Sequence, residues 1–348
     1  MNYINLIDVC NINMGQSPDS KSYNDNCDGI PFFQGNADFG ERYPVTRVWC
    51  SAPTKIANPN DILISVRAPI GALNFARERC CIGRGLAAIT PDTSKVSIEF
   101  IYWLLKGKTA ELNSKGTGST FKAISRKVLE ETKVPDIPLD QQLQYAAILE
   151  KIYAIINDRK QQLAKLDELV KARFVEMFGA LTDTVPLSHY IKALTAGKSL
   201  PGEEECRNKV LKTGAATYDY FDETQVKNLP VDYTPLAEHQ IHDGDVIISR
   251  MNTAELVGAT AYIWKAPDNT YLPDRLWRAE LKEKVNPIFV WQVIIQSSTK
   301  EAIRRIAGGT SGSMKNISKP GLLGVNVIKV SLDQQNQFAA FVSQTDKS

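Results

Sequence analysis

The chain has no run of 18 apolar residues in its 348, which excludes a membrane-spanning helix. Its opening segment, Met1 to Gln16, has neither a basic stretch nor a long apolar core, so no secretory signal is expected. Excess charge is also missing. There are 41 Lys and Arg against 39 Asp and Glu, a net +2. A general polycationic coat is thereby excluded, and any nucleic-acid contact must come from local basic patches. The six cysteines, Cys10, Cys27, Cys50, Cys80, Cys81 and Cys206, form no C-x-x-C. Neither a disulfide framework nor a zinc site is expected; they read as thiols in a reducing cytoplasm. At 43% hydrophobic, 8% aromatic and 23% charged residues the composition is globular. Roughly 150 residues per domain suggests about two domains.

Catalytic signatures are scarce as well. No Asn/Asp-Pro-Pro-Tyr/Phe tetrapeptide occurs, so an adenine methyltransferase centre is not expected. Gly197-Lys198-Ser199 lacks the upstream glycine of a P-loop, and the GTGST run from Gly116 follows a helical segment rather than a strand. Asp274, Glu280 and Lys282 are spaced like a metal nuclease, but read better as a turn and a strand. His239, His242, Asp243 and Asp245 could hold a metal; a polar turn before a strand is the preferred reading. No catalytic and no metal-binding residue is expected.

What is present is a repeat. STFKAIS (Ser119 to Ser125) matches GSMKNIS (Gly312 to Ser318), and LDQQLQYAAIL from Leu139 matches LDQQNQFAAFV from Leu332. Weaker matches run upstream: MGQSP with AGKSL, NDILISVR with GDVIISRM, FIYWLL with FVWQVI. The spacing drifts between anchors, as expected for one domain duplicated with divergent loops. DILIS and DVIIS read as strands. The segments from Ser97 to Leu112 and from Pro287 to Ile306 have helical spacing. Each leads into a Gly/Ser/Thr loop. Between the copies, Asp140 to Phe178 contains no Pro and no Gly. Apolar residues recur there at steps of three or four, marking one amphipathic helix of roughly 58 Å. A lone helix with an apolar stripe should pack against another.

Two similar α+β domains joined by a long helix, with these motifs in this order, resemble the specificity subunit of type I restriction–modification systems. The resemblance implies a first target recognition domain at 1–139, a connecting helix at 140–179, a second domain at 180–332, and the start of a second helix at 333–348. It implies that the helices form a coiled-coil-like pair and dock the modification (methyltransferase) subunits. Each domain would read one half of a bipartite double-stranded DNA site. Catalysis would lie in other subunits, so S-adenosylmethionine, ATP and Mg²⁺ are expected there and no cofactor in this chain. A restriction subunit would join through the complex, in a cytoplasmic phage-defence system. The second helix is short compared with the first. Truncation, complementation by a partner, or pairing with a second specificity chain are all open, and an interaction or regulatory protein is the alternative function.

Candidate contacts follow from nucleic-acid chemistry. Arg42 to Arg84, Lys106 to Lys127 and Lys300 to Lys329 each carry net charge +5. Glycine lets backbone N–H groups approach phosphate, hydroxyls donate and lysine adds charge. The phosphate candidates are Gly116, Thr117, Gly118, Ser119 and Lys122, with Thr310, Ser311, Ser313 and Lys315 in the second copy. Base reading needs side chains that span a base edge. The pool in the first copy is Gln34, Asn36, Arg42, Arg47 and Asn74. In the second it is Lys212, Tyr218, Arg250, Asn252 and Arg275. Ile148, Ile152, Ile155, Leu163, Leu166 and Val170 are the candidate docking stripe.

Overall fold

A computed structural model describes residues 2–118, 122–309 and 314–345. It has two compact units, Met1–Arg159 and Lys160–Ser348, whose boundary falls inside a single helix. The architecture is α+β. Among the described residues no helix is long and apolar enough to cross a membrane.

The first unit is built on an antiparallel sheet of β1 (Cys10–Met14), β2 (Ile62–Ser65), β3 (Leu73–Phe75) and β4 (Leu86–Pro91), in the order β1-β4-β2-β3. All four residues of β2 are buried. Ile62 and Ile64 pack among Phe100, Ile101 and Leu105 of helix α1 (Ile98–Gly107). Leu63 points the other way, among Phe33, Ile82 and Leu86. A strand covered on both faces becomes a continuous apolar run instead of alternating, which is why DILIS reads as it does. The second covering layer is a five-stranded sheet that holds Ile30–Phe33 and Cys80–Ile82. Cys80 and Cys81 lie in one of its strands, and burial pushes the Cys80 thiol up to about 12. All six cysteines are unbridged.

The second unit repeats this plan. Its sheet contains β5 (Ile191–Ala196), β6 (Val246–Ser249), β7 (Thr260–Tyr262) and β8 (Leu276–Leu281), in the order β5-β8-β6-β7. Val246 and Ile248 of β6 face the helical layer, while Ile247 faces Leu211, Ile263 and Leu272. The turn before the central strand is also repeated. Asn60 at φ +71° and Gly244 at φ +87° occupy equivalent left-handed positions. The next residue is an aspartate in both. Asp61 accepts from the Asn58 N–H at 2.7 Å, and Asp245 from the His242 N–H at 2.8 Å. His242 to Asp245 form a polar turn before β6, while His239 ends a short 3-10 helix, Ala237–His239.

The helical segments differ from expectation in one respect. Each is two helices. The first breaks at Lys108 between α1 and α2 (Thr109–Ser114). The second breaks at Gln296 (ψ 142°) between α5 (Pro287–Ile295) and α6 (Ser297–Ile306). Two more short helices, α3 (Arg126–Glu130) and α7 (Lys319–Leu323), again correspond.

The repeated LDQQ motif has a structural cause. It starts α4 (Leu139–Phe178) and α8 (Leu332–Gln344). Gln142 is buried; its Oε1 accepts from the Ser97 N–H at 2.9 Å and its Nε2 donates to the Ile137 carbonyl at 2.9 Å. Gln335 does the same with the Asn286 N–H (3.0 Å) and the Val330 carbonyl (2.8 Å). Ser97 and Asn286 are the N-caps of α1 and α5. One amide thus fixes the root of each helix to the start of its neighbour.

The 40-residue α4 has more than one apolar face. Gln142 and Ala146 are buried in the first unit, and Tyr153 packs edge-on against Trp103. In the second unit Val170, Phe174 and Phe178 join the core, where Phe174 and Phe178 both meet Phe338 of α8. Val170 is therefore a core residue, which corrects its placement in a docking stripe. Leu166 is half-buried, while Ile148, Ile152, Ile155 and Leu163 are exposed.

Replacing Gln142 or Gln335 by alanine strands one buried and one half-buried backbone group, an N–H and a C=O. Each change should cost about 1–3 kcal/mol, read as a lower urea midpoint. Amide exchange should accelerate at Ser97 in the first variant and at Asn286 in the second. Unchanged midpoints would mean that the amide clamp holds nothing.

Candidate functional site

The Gly/Ser/Thr loops close in the same way in both units. Thr117 bridges to Ala123, and Gly308 to Asn316. The residue after each first partner is a left-handed glycine, Gly118 at φ +120° and Gly309 at φ +129°. A side chain there would be strained, so glycine is required at the mouth of each loop. The second loop is two residues longer. Gly116 and Thr117 lie at the entrance of the first. Ser119, Thr310, Ser311 and Ser313 lie outside the described residues.

The backbone around each loop meets the central strand of the frame in matching register. The Ile124 N–H donates to the Val66 carbonyl, and the Val66 N–H to the Gly85 carbonyl, both at 2.9 Å. In the second unit the Ile317 N–H donates to Arg250 (3.0 Å), and the Arg250 N–H to Arg275 (3.1 Å). Basic residues therefore gather at the same corner of each frame. Lys122 lies with Arg67 and Arg84 in one, Lys315 with Arg250 and Arg275 in the other. Arg67, Arg84, Lys122 and Arg275 are exposed; Arg250 and Lys315 are half-buried. The Arg250 guanidinium sits over Trp277, and the Lys315 ammonium donates to the Gly309 carbonyl. Asn252 pairs with Lys315 across a short two-stranded ladder. Arg67 and Arg84, part of the Arg42 to Arg84 patch, are singled out by the backbone register of the loop.

Other parts of the basic patches are neutralised locally. Lys108 and Lys115 both bind Glu111, at 2.7 and 2.6 Å, and their hydrogen bonds draw its carboxyl down to about 2. Arg126 pairs with Glu130 and Lys127 with Glu131, acids just beyond the counted segment. The Lys106 ammonium is 3.7 Å from the Tyr153 ring centroid and 4.9 Å from that of Trp103. The field of this patch is therefore weaker than its +5 suggests.

The divergent loops rest on an equivalent seat in both units. In the first it is the stacked pair Phe75–Tyr102, at 4.6 Å between centroids. In the second it is Tyr262–Trp291, at 6.0 Å. Arg42 lies 5.1 Å over Phe75 and binds Glu150 of α4 at 2.5 Å. Asn74 is buried, accepts from the Gly40 N–H and donates to the Gly40 carbonyl, both at 3.1 Å. Both were candidate base readers. Here they hold the loop in place, and Asn74 has no exposed edge to offer a base. Gln34 and Arg47 are exposed, though Gln34 donates to Ser17 (2.9 Å) and Arg47 to the Ala37 carbonyl (3.3 Å). Asn36 is half-buried. Lys212 and Tyr218 are exposed in the second unit. Asp274 is exposed and Glu280 accepts from Thr195 within the sheet, as a turn and strand require.

The Arg42–Glu150 pair is two-fifths exposed on both sides. A double-mutant cycle of Arg42→Ala and Glu150→Ala should give a coupling of about 0.2–1 kcal/mol. A zero coupling would leave the loop held by the aromatic seat and by Asn74.

The family model of the type I restriction modification DNA specificity domain matches residues 1–166. The chain is 41% identical over 158 residues to the putative type I restriction enzyme MjaX specificity subunit of Methanocaldococcus jannaschii. That match takes in 45% of this chain and 37% of the relative, so well under half of the relative's length is spanned. The MjaVIII specificity subunit of the same organism is 22% identical over 316 residues, 84% of this chain and 73% of that one. The S subunit of a type I restriction–modification system from M. genitalium has a similar fold over 99% of this chain and 89% of its own. There the TM-score is 0.57 at 15% identity. Over residues 1–166, a little under half of its length, the chain is similar to the type I restriction modification DNA specificity family.

Proposed function

We propose that the chain is a non-catalytic DNA-sequence-specificity subunit, in which each unit reads one half of a bipartite site in double-stranded DNA. One observation carries this reading. The two frames match at the glutamine clamp, at the turn before the central strand and in the loop register, while the loops seated on them differ in sequence and length. A repeated scaffold with different loops suits two readings made in one way on two sequences. The relatives' shared name, specificity subunit, supports it.

In this reading the basic corners set the register on the duplex. Lys122 and Lys315, with the backbone at Gly118 and Gly309, take phosphate. The exposed loop residues Gln34, Arg47, Lys212, Tyr218 and Arg275 read base edges, with Asn36, Asn252 and Arg250 nearer the frame. The exposed apolar face of α4, with Ile148, Ile152, Ile155 and Leu163, docks modification subunits. Those subunits hold S-adenosylmethionine, and a restriction subunit adds ATP and Mg²⁺ chemistry.

Co-purification with the cognate modification subunit, followed by a methylome of DNA exposed to the complex, tests the whole reading. A bipartite methylated motif is expected. Assembly without methylation would favour an interaction or regulatory role, and absence of assembly would remove the reading. Joint Lys122→Ala and Lys315→Ala substitution should weaken binding on all sequences and lower the salt slope by about two. A change of preferred sequence at constant slope would make these lysines base readers instead. Ile152 is half-exposed, so Ile152→Asp should leave the thermal transition in place while abolishing co-purification. Retained assembly would place docking elsewhere.

A further inference from the structure

The loop around Asp219 carries a feature that no phosphate or docking role uses. Tyr218 and Tyr220 are 70% and 54% exposed. Their rings lie nearly parallel, 6.2 Å apart at 20°. Two large rings side by side in solvent are rare on a surface without a contact to make. They are also rigidly held. Asp219, between them, is left-handed at φ +64°, a conformation Asp tolerates better than most residues. Its Oδ1 accepts from the Thr260 N–H at 3.1 Å and its Oδ2 from the Lys300 ammonium, in an ion pair that is mostly buried. Its carbonyl accepts from the Trp291 indole N–H at 3.0 Å. Three bonds from one residue turn the rings on either side outward.

We infer that Tyr218 and Tyr220 form an uncharged aromatic reader of the second half-site, with Asp219 as its positioning residue; this rests on the specificity reading above. Two further observations place the pair at a DNA-facing surface. Lys300 stands on α6, which runs from Ser297 to Ile306 and leads into the loop closed by Gly308 and Asn316. From Lys300 to Ile306 is on the order of 10 Å along the helix axis, comparable with the width of a DNA groove. A duplex whose phosphates meet that loop can therefore bring a groove to the rings. The first unit has reached the same arrangement with unrelated residues. Its pin is Arg42, over the equivalent aromatic seat. The next residue, Tyr43, is 39% exposed and lies under the Arg77 guanidinium at 5.5 Å. A pin on the aromatic seat next to an exposed tyrosine occurs in both units, although the loops share no sequence.

Ring faces contact thymine methyl groups, and hydroxyls reach base edges. Neither releases counterions. The pair should therefore add sequence-dependent affinity without changing the salt slope.

The test uses the complex with its modification subunit and fluorescence anisotropy on two duplexes. One carries the motif that the complex methylates; the other has the second half-site scrambled. Tyr218→Ala with Tyr220→Ala should weaken binding to the motif at least tenfold, leave the scrambled duplex unchanged, and keep the slope against log salt. Tyr218→Phe with Tyr220→Phe separates ring from hydroxyl: retained discrimination assigns it to the ring faces, lost discrimination to the hydroxyls, and both keep the reader. Asp219→Asn keeps the left-handed turn and the acceptor for Thr260, so it should lose less than Asp219→Ala. Equal loss on both duplexes, a shallower slope, or no change would overturn the inference. So would loss of the modification subunit from the double alanine variant, which would make the rings a protein contact. If the unaltered complex does not discriminate the duplexes, the specificity reading itself fails. The single alanine variants repeat the comparison should the double variant not fold.

Discussion

A helix that leaves a domain is only as well oriented as its first turn, and here that turn hangs on one buried amide. A glutamine can accept with one end of its side chain and donate with the other. Gln142 and Gln335 use both ends, tying a neighbouring helix's N-cap N–H to a carbonyl just before their own helix. A charged residue at this depth would need a partner, and an apolar one would strand two backbone groups. The chemistry leaves few alternatives, which accounts for the second glutamine of LDQQ standing in both copies.

From these roots outward the constraint relaxes in layers. The central strands Ile62–Ser65 and Val246–Ser249 are buried on both faces, where apolar residues of similar size fit best. Above them the aromatic seats differ in composition, Phe75–Tyr102 against Tyr262–Trp291, yet keep a stacked pair. The loops pinned to those seats share neither sequence nor anchor: a cation over a ring in one unit, a backbone carbonyl accepting from an indole N–H in the other. Loop residues can change in such a scaffold without disturbing the core, because the anchor needs only some bond to the seat.

The duplicated fold was legible because its causes are local. DILIS and DVIIS announce doubly covered strands, and the absence of Pro and Gly from Asp140 to Phe178 announces the helix. The site was less legible because its determinants are contacts between distant positions. Nothing near Asn74 says that Gly40 occupies its amide, and nothing near Arg42 points to Glu150, 108 residues away. Counting charges along the chain also missed Glu130 and Glu131, which pair with Arg126 and Lys127 one helical turn back. The glutamine clamp was visible as a repeated motif, but repetition alone does not distinguish a structural amide from a binding one. Gly107 stands at the first helix break, but the break at Gln296 has neither Gly nor Pro beside it; tertiary packing overrides a helical pattern there.

The long helix shows how a single periodic stripe conceals several duties. Its first turns are fixed by Gln142 and Ala146, its last by Val170, Phe174 and Phe178. The stretch between is made largely of Lys, Glu, Gln, Ala and Leu, residues of high helix propensity. It can stay helical on that propensity once both ends are held, which a free helix in water does poorly. Ile152, Ile155 and Ile156 do not fit this account. β-Branched residues lower helix propensity, and these three remain 48%, 60% and 44% exposed. They belong to neither core, and with Ile148 and Leu163 they make up the exposed apolar face to which the proposed function assigns docking.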